Sequence, residues 1–320
     1  MHVLFVIDPL PGLSAYKDTS VGMMRALQAR GHTLNVCLQS DIFIEQGTVK
    51  TLATGIEIKP DADLHGSSWW LERSPATDTP LAEFSAVLMR KDPPFDLEYL
   101  YATHMVDTAV AQGAKVFNSG QAMRDHPEKL AITEFSQFTA PTLITSSMSR
   151  LRAFYHAEGD IVVKPLDGMG GTGVFRVKPN DGNLSTILEM LTEQGSTTIM
   201  AQRYIPDIQQ GDKRIIILNG EPVPYSLARI PLAGESRGNL AAGGRGVAQP
   251  LTERDWEIAN ALGPVLAKRG LLVIGLDVIG DYLTEVNVTS PTCFVEISEQ
   301  TDFHVSDAFA KALETAVAKS

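Results

Sequence analysis

The sequence has few of the features that mark secreted, membrane or disulfide-bonded proteins. Only two of its 320 residues are cysteines, Cys37 and Cys293, and they lie far apart with no CxxC motif. Two isolated thiols are typical of a reducing compartment. The sequence also lacks an apolar run of about 18 residues, which a membrane-spanning helix would need, and residues 1–8 lack the basic segment of a signal peptide. We therefore expect a cytoplasmic protein that has no membrane partner.

Positive charge is also scarce. The chain has 27 lysines and arginines against 38 aspartates and glutamates, which gives a net charge of −11. Because such a chain repels a phosphate backbone, we predict no nucleic-acid partner, although local basic groups can still bind a small anion. The hydrophobic fraction of 44% is ordinary for a globular protein, and the length suits two or three packed units.

The first part of the chain alternates predicted strands and helices. Residues 2–7 are an apolar, β-branched run typical of a buried strand, residues 19–30 read as a helix, and residues 33–38 as a second strand. This order favours a parallel sheet. Residues 60–80 are polar and contain prolines, so we predict a surface loop there. The domains that we expect cover residues 1–122, 123–200 and 201–320.

A glycine-rich segment, Gly168 to Gly173, lies between two predicted strands. It matches GxGxxG but does not open a helix, so it is not a dinucleotide fingerprint. A flexible hairpin of this kind can place its amide groups over phosphates, and Lys164, in the preceding apolar strand, could bind the same phosphates. The alternatives are a plain surface turn and an edge lysine whose amino group reaches solvent.

Three oxygen-bearing side chains, Asp277, Glu285 and Asn287, fall on two predicted strands near the carboxyl end. A three-residue loop, residues 280–282, would pair residue 277 with residue 285 and place all three side chains on one face. A two-residue loop would put Asp277 and Glu285 on opposite faces. Two carboxylates and an amide oxygen suit Mg²⁺, and the alternative is the polar outer face of a hairpin.

A long segment with five glycines covers residues 231–250. Connections of this length are usually functional or disordered. Arg237 and Arg245 within it indicate a mobile cover that closes on anions. The alternative is an ordinary solvated loop.

Four runs together resemble the ATP-grasp family and, within it, the prokaryotic glutathione synthetases. These runs are LMRKDPPFD at residues 88–96, KPLDGMGG at 164–171, RGNLAAGGRG at 237–246 and TEVNVTSPT at 284–292. The lysines and acidic residues are shared with ATP-grasp enzymes in general, whereas the first and third runs point to the narrower family. The resemblance extends over nearly the whole chain.

The resemblance implies an α/β (α+β) ATP-grasp fold. It would have a Rossmann-like parallel-sheet substrate-binding domain at residues 1–122, a small lid at residues 123–200 and a catalytic domain at residues 201–320. The implied nucleotide-binding residues are Lys129, Lys164, Gly168, Met169, Gly170, Gly171, Gln202, Tyr204, Ile205 and Asp212. The implied metal ligands are Asp277, Glu285 and Asn287. The implied catalytic arginines are Arg214, Arg229, Arg237 and Arg245, and the implied substrate residues are Arg90, Asn239 and Ser290.

The resemblance also implies an activity. An ATP- and Mg²⁺-dependent ligase, with Mn²⁺ as a possible substitute, would join γ-glutamylcysteine and glycine to give glutathione, ADP and phosphate through an acyl phosphate. It would be a homo-oligomer, and specifically a tetramer. Two other readings remain: a different ATP-grasp ligase with another substrate pocket, and an ATP-binding regulator without catalytic activity.

Overall fold

The computed structural model describes residues 1–168, 170–232, 238 and 243–320. Over these residues the chain forms three β-sheets that follow one another along the sequence. The predictions for Met169, Arg237 and Asn239 lie outside the described residues. Among the described helices, none is both long and apolar enough to cross a bilayer.

The first sheet has a parallel centre flanked by helices. Its strands are β1 (His2–Val6), β2 (Thr33–Cys37), β3 (Ile42–Glu45), β4 (Thr48–Ile58), β5 (Trp70–Pro80), β6 (Ala86–Met89) and β7 (Val116–Phe117), and its helices are α1 (Thr19–Ala29), α2 (Leu97–Ala111) and α3 (Gly120–Asp125). The strand order is β3-β4-β2-β1-β6-β7, and β5 pairs with β4. β1 runs parallel to β2 and β6, which confirms the predicted parallel sheet.

The predicted surface loop at residues 60–80 is wrong over its second half. β5 occupies residues 70–80 and pairs antiparallel with β4, while Trp69 is completely buried. Most side chains of β5 are exposed because it lies at the edge of the sheet. An edge strand tolerates prolines such as Pro75 and needs no apolar alternation, so its composition resembles that of a loop.

The second sheet carries the glycine-rich hairpin. Its strands are β8 (Thr142–Thr145), β9 (Ile161–Pro165), β10 (Phe175–Val177) and β11 (Ile199–Arg203), and its helices are α4 (Met148–Glu158) and α5 (Leu184–Leu191). The order is β10-β9-β11-β8, with antiparallel neighbours. Phe175 pairs with Val163, so residues 166–174 connect two antiparallel strands. This confirms that the glycine-rich segment joins two strands rather than opening a helix.

The third sheet supplies most of the charged residues predicted for the site. Its strands are β12 (Asp212–Leu218), β13 (Glu221–Ile230), β14 (Arg245–Pro250), β15 (Val273–Ile279) and β16 (Tyr282–Asn287), and its helices are α6 (Glu253–Lys268), α7 (Phe294–Gln300) and α8 (Val305–Lys319). The order is β14-β13-β12-β15-β16, again antiparallel. The turn between β12 and β13 uses Asn219 and Gly220 at φ values of 50° and 88°, as a tight hairpin requires.

The predicted register of β15 and β16 is correct at the site but wrong at the turn. Ile279 pairs with Tyr282, so the loop has two residues and not three. A shift in register between Asp277 and Val278 leaves Thr284 as an extra residue on β16, and Asp277 then pairs with Glu285 as predicted. A β-bulge of this kind reverses the side-chain alternation at one point.

Asn118 joins the first sheet to the third. Its side-chain nitrogen donates to the carbonyl oxygens of Val273 and Val288, both at 2.8 Å. Its side-chain oxygen accepts from the backbone nitrogens of Leu272 and Val273 at 2.7 and 2.9 Å. These four bonds satisfy backbone groups of buried residues. They also hold Val288, the residue that follows Asn287, beside the first sheet.

Candidate active site

A cavity of about 360 Å³ lies between the second and third sheets. Most of the predicted site residues line it: Lys129, Lys164, Gly168, Gly170, Gly171, Gln202, Tyr204, Ile205, Asp212, Arg214, Arg229, Glu285, Asn287 and Ser290. Asp92 and Pro93, which follow β6, close one side from the first domain. The cavity therefore collects residues that are up to about 200 positions apart in the sequence.

Three other predicted residues lie outside the lining. Asp277 is buried behind the cavity, against two of its arginines. Arg90 is also buried, and it donates to the carbonyl oxygen of Pro291 at 2.9 Å and to the hydroxyl of Ser20 at 3.1 Å. Arg245 is exposed on β14, opposite Ile230. Asp277 therefore reaches the cavity only through the lining residues Arg214 and Arg229, and neither Arg90 nor Arg245 lines it.

Two lysine ammonium groups mark one region of the cavity. Lys164 on β9 is buried, and its Nζ lies 3.4 Å from the carbonyl oxygen of Thr284, the bulged residue. Lys129 donates to the carbonyl oxygen of Gly168 and lies 3.4 Å from Glu285 Oε1. Burial lowers the pKa of Lys164, although Glu285 opposes this shift. Buried ammonium groups beside an open cavity favour an anionic ligand such as a phosphate chain.

Another part of the cavity lining carries aromatic and aliphatic side chains. Tyr204 follows β11, and the guanidinium of Arg176 lies 3.4 Å from the centre of its ring. Asp160 holds that guanidinium through bonds of 3.0 Å to Nε and 2.6 Å to Nη2. Val162 and Ile279 also line this region. A flat, aromatic and aliphatic pocket suits a nucleotide base.

Sequence reasoning missed Arg176. It is a single charged residue in a short strand between two apolar neighbours, which is what alternation predicts for any solvated position. Its contact with Tyr204 depends on the pairing of distant strands, so no local signal could have identified it.

Four charged groups form a compact network at the cavity: the half-buried Asp212 and the buried Arg214 and Arg229 line it, and Asp277 is buried against the two arginines. Asp277 accepts from Arg214 Nε, from Arg214 Nη2 at 3.1 Å and from Arg229 Nη2 at 2.8 Å. Arg229 also bonds to Asp212 Oδ2 at 2.6 Å. Gly275 makes room for this arrangement, because a Cβ there would lie 2.8 Å from Cδ of Arg214.

The two aspartates of this network have opposite pKa shifts. Burial would raise the pKa of Asp277, but the guanidinium groups of Arg214 and Arg229 outweigh burial and hold it well below its usual range. Burial raises the pKa of Asp212 to about 7, against the opposing effect of Arg229. Asp277 is therefore the permanent counter-charge of the arginines, whereas Asp212 titrates near neutral pH.

Glu285 and Asn287 have the chemistry of a divalent-cation site. They are two residues apart on β16 and both line the cavity. The amide nitrogen of Asn287 donates to the carbonyl oxygen of Gly275 at 3.2 Å, which leaves its amide oxygen available. Within the part of the chain that the structure describes, no group of three His, Cys, Asp or Glu residues could hold a metal ion. The amide oxygen of Asn287 is a type of ligand that Mg²⁺ accepts beside a carboxylate.

Asp277 fits the predicted metal role less simply. A carboxylate offers about four lone-pair positions, and the three bonds from Arg214 and Arg229 occupy most of them. One position on Oδ1 remains. Asp277 could still complete the set of oxygen ligands, but its main contacts in this structure are with the two arginines.

The fold and the site define the class of protein. A D-cycloserine synthetase aligns over 98% of this chain and 99% of its own, with a TM-score of 0.67 and 16% identity. The ATP-grasp ligase PsnB, solved with a minimal precursor, Mg and ADP, covers 99% of this chain and 98% of its own, with a TM-score of 0.60 and 16% identity. The chain has the ATP-grasp fold.

The family follows from sequence comparisons. Residues 1–124 match the model of the prokaryotic glutathione synthetase N-terminal domain, and residues 128–302 match that of the prokaryotic glutathione synthetase ATP-grasp domain. The glutathione synthetase of Bordetella parapertussis is 66% identical over 316 residues, 99% of each chain. That of Ralstonia nicotianae is 54% identical over 320 residues, covering 100% of this chain and 97% of the relative. This chain belongs to the prokaryotic glutathione synthetase family.

Proposed function

We propose that this chain catalyses the ATP-dependent joining of γ-glutamylcysteine and glycine to form glutathione, with release of ADP and phosphate. One observation carries the proposal beyond family membership. Buried lysines and arginines, Lys164, Arg214 and Arg229, share a single cavity with Glu285 and Asn287. Such a cavity can bind a nucleotide and a carboxylate together, which is what activation of an acid by ATP requires.

The first step transfers a phosphoryl group to the substrate. A carboxylate oxygen of γ-glutamylcysteine attacks the γ-phosphorus of ATP, the bond to the β-phosphate oxygen breaks, and ADP leaves. Lys129 and Lys164 would neutralise negative charge on the phosphate chain. Glu285 and Asn287, with Asp277, would hold Mg²⁺, which supplies charge neutralisation and orients phosphate oxygens when it is bound.

The second step forms the amide bond. The glycine amine attacks the acyl carbon, a tetrahedral oxyanion forms, and phosphate leaves with one of the original carboxylate oxygens. Asp277 accepts one N–H each from Nε and Nη2 of Arg214, so the remaining N–H groups of this guanidinium can stabilise the oxyanion together with Arg229. Preorganised donors of this kind are commonly worth about 3 kcal/mol each.

The remaining assignments belong to the same proposal. Lys129, Gly168, Met169, Gly170 and Gly171 would contact the phosphates. Gln202, Tyr204, Ile205 and Asp212 would bind the adenosine part, and Arg237 and Arg245 would close over the reacting groups. Arg90, Asn239 and Ser290 would contact the peptide substrate. The active protein would be a cytoplasmic homotetramer that accepts Mn²⁺ in place of Mg²⁺, with functional domains at residues 1–122, 123–200 and 201–320.

The test is ADP release by the purified protein with ATP and Mg²⁺. γ-Glutamylcysteine and glycine are added singly and together, and the product is analysed. We expect ADP release that requires both, with glutathione as the product. Release with only a different acid and amine would retain the ligase and reject the substrates, and nucleotide binding without turnover for any pair would favour a regulator.

A paired variant tests the metal assignment in the same assay. Glu285→Ala should abolish ADP release while its circular dichroism spectrum stays like that of the wild type. Glu299→Ala, which removes an exposed carboxylate from α7, should leave the rate unchanged. Continued turnover by Glu285→Ala would contradict the assignment.

A further inference from the structure

Glu128 lines the cavity beside Lys129. It lies between the first and second sheets, directly before Lys129 and the 3-10 helix Leu130–Phe138. Its carboxylate is turned toward the residues that follow β16, 160 positions along the chain.

One carboxylate oxygen of Glu128 accepts three hydrogen bonds from two adjacent residues. Oε1 receives the backbone nitrogen of Val288 at 3.1 Å, the backbone nitrogen of Thr289 at 3.3 Å and the hydroxyl of Thr289 at 2.8 Å. Val288 and Thr289 are both buried. If this acceptor were removed, buried donors would be left unsatisfied, which is costly, so the segment would move to find other partners.

The segment that Glu128 holds is a wall of the active site. Residues 288–293, here called the substrate wall, follow Asn287 directly and include three lining residues, Ser290, Thr292 and Cys293. The carbonyl oxygen of Glu128 also accepts from the backbone nitrogen of Val286 on β16 at 2.9 Å. The residues on either side of Asn287, Val286 and Val288, therefore both donate backbone hydrogen bonds to Glu128.

The same stretch of chain reaches the glycine-rich hairpin. Lys129 donates to the carbonyl oxygen of Gly168, and its Nζ lies 3.4 Å from that of Leu166. Glu128 and Lys129 together thus connect the substrate wall with the segment predicted to cover the phosphates. A shift of about 1 Å between reacting groups can cost about 100-fold in rate, so a fixed connection here bears directly on turnover.

We propose that Glu128 is a positioning residue, which holds the substrate wall in register with Lys129 and the glycine-rich hairpin so that the acid and the phosphoryl donor meet. This rests on the proposed function of the cavity. The role belongs to the hydrogen-bond acceptor and not to the negative charge, because Oε1 makes all three bonds as an acceptor.

The test compares Glu128→Ala with Glu128→Gln in steady-state assays. Removal of partners that orient groups in a site typically costs about 10- to 100-fold in activity, and we expect a loss of kcat in this range for Glu128→Ala. Glu128→Gln keeps an acceptor oxygen and should recover most of that loss. The KM for ATP should change much less than kcat, because the base-binding region is formed by β9, β10 and β11.

Two further variants separate positioning from stability. Glu134 lies in the 3-10 helix that follows Lys129, and its carboxylate pairs with Arg269 at 2.8 Å. Glu134→Ala removes this carboxylate and should leave kcat unchanged. Thr289→Val removes the side-chain bond alone. It should lower kcat in the wild-type background and have little further effect in Glu128→Ala, because its partner is then already absent.

Three results would overturn the proposal. The first is a wild-type kcat in Glu128→Ala. The second is an equal loss of kcat in Glu128→Gln and Glu128→Ala. The third is a loss of kcat from Thr289→Val that is as large in Glu128→Ala as in the wild type. The wild-type protein run in parallel tests the proposed function by itself. Absence of glutathione there would contradict the function, whereas a fully active Glu128→Ala beside an active wild type would contradict only the positioning role.

Discussion

Replacing Asp277 by asparagine should strongly destabilise the protein, because it removes the charge that the buried arginines share. The side chains of Arg214 and Arg229 are only 7% and 5% exposed. Both donate to Asp277, and Arg229 has Asp212 as a second acidic partner. In Asp277→Asn the shape is kept, but the negative charge that contacts both arginines is lost.

The expected size of the effect follows from this burial. Breaking a buried ion pair by neutralising one partner typically costs about 3–5 kcal/mol, because the other charge stays desolvated. Domains are commonly stable by only about 5–15 kcal/mol, so the variant should unfold at a much lower urea concentration. Tryptophan fluorescence and far-ultraviolet circular dichroism would follow unfolding in parallel, and agreement between the two probes checks for a single transition.

A matched control and a pH series sharpen the result. Asp302→Asn makes the same change at an exposed position, where the carboxylate accepts the hydroxyl of Tyr225 at 2.9 Å, and should cost nothing measurable. Because the pKa of Asp277 is lowered in the folded state, its contribution is present above the unfolded pKa near 3.8 and is lost as the pH falls through the folded pKa. A wild-type and an Asp277→Asn protein of equal stability at neutral pH would refute the reasoning.

Three other perturbations give distinct signals. Since burial lowers the pKa of Lys164, kcat/KM should fall at alkaline pH below the usual lysine range. The fall should move to higher pH in an active Lys164→Arg variant, and an unmoved limb would contradict the assignment. Arg176→Met removes the stacking on Tyr204 and should raise the KM for ATP about threefold to tenfold, a cation–π contact being worth about 1 kcal/mol. An unchanged KM would remove Arg176 from the nucleotide pocket. The hydrogen bond from Arg30 holds the pKa of Glu314 at about 2, so Glu314 stabilises the fold above its unfolded pKa near 4.5 and stops doing so as the pH falls toward 2. Glu314→Gln should therefore lower the melting temperature slightly at neutral pH and not near pH 2, and an equal loss at both would contradict this.

Local patterns predicted the parts of the fold that depend on neighbours in sequence. The parallel centre of the first sheet follows from apolar runs separated by a helix, and Asp18 caps that helix by accepting from the backbone nitrogen of Val21 at 2.9 Å. The glycine-rich hairpin follows from its two flanking strands.

Features that depend on tertiary partners could not be predicted in the same way. The bulge at Thr284 is set by Lys164, which lies 3.4 Å from its carbonyl oxygen, and by Asp277, whose carbonyl oxygen accepts from its hydroxyl at 3.1 Å. The turn residues alone give no sign of it. β5 resembles a loop in sequence because most of its side chains are exposed and it therefore lacks apolar alternation.

In the candidate site, too, some residues could be identified from the sequence and others only from their tertiary contacts. Runs of characteristic sequence identified Lys164, Glu285 and Asn287, and the structure brings them to one cavity. Glu128 and Arg176 are ordinary charged residues in sequence. Their contacts involve partners 160 and 28 positions away along the chain, so only the folded arrangement identifies them.

The most direct test of the account follows the oxygen atoms of the substrate. γ-Glutamylcysteine labelled with oxygen-18 in the glycyl-accepting carboxylate is incubated with the protein, ATP, Mg²⁺ and glycine, and the released phosphate is analysed by mass spectrometry. If the acid is activated by phosphorylation in this cavity, each phosphate carries one labelled oxygen and the peptide product keeps the other. Unlabelled phosphate accompanying glutathione would contradict the acyl-phosphate mechanism. Phosphate release that requires a different acid in place of γ-glutamylcysteine would contradict the substrate.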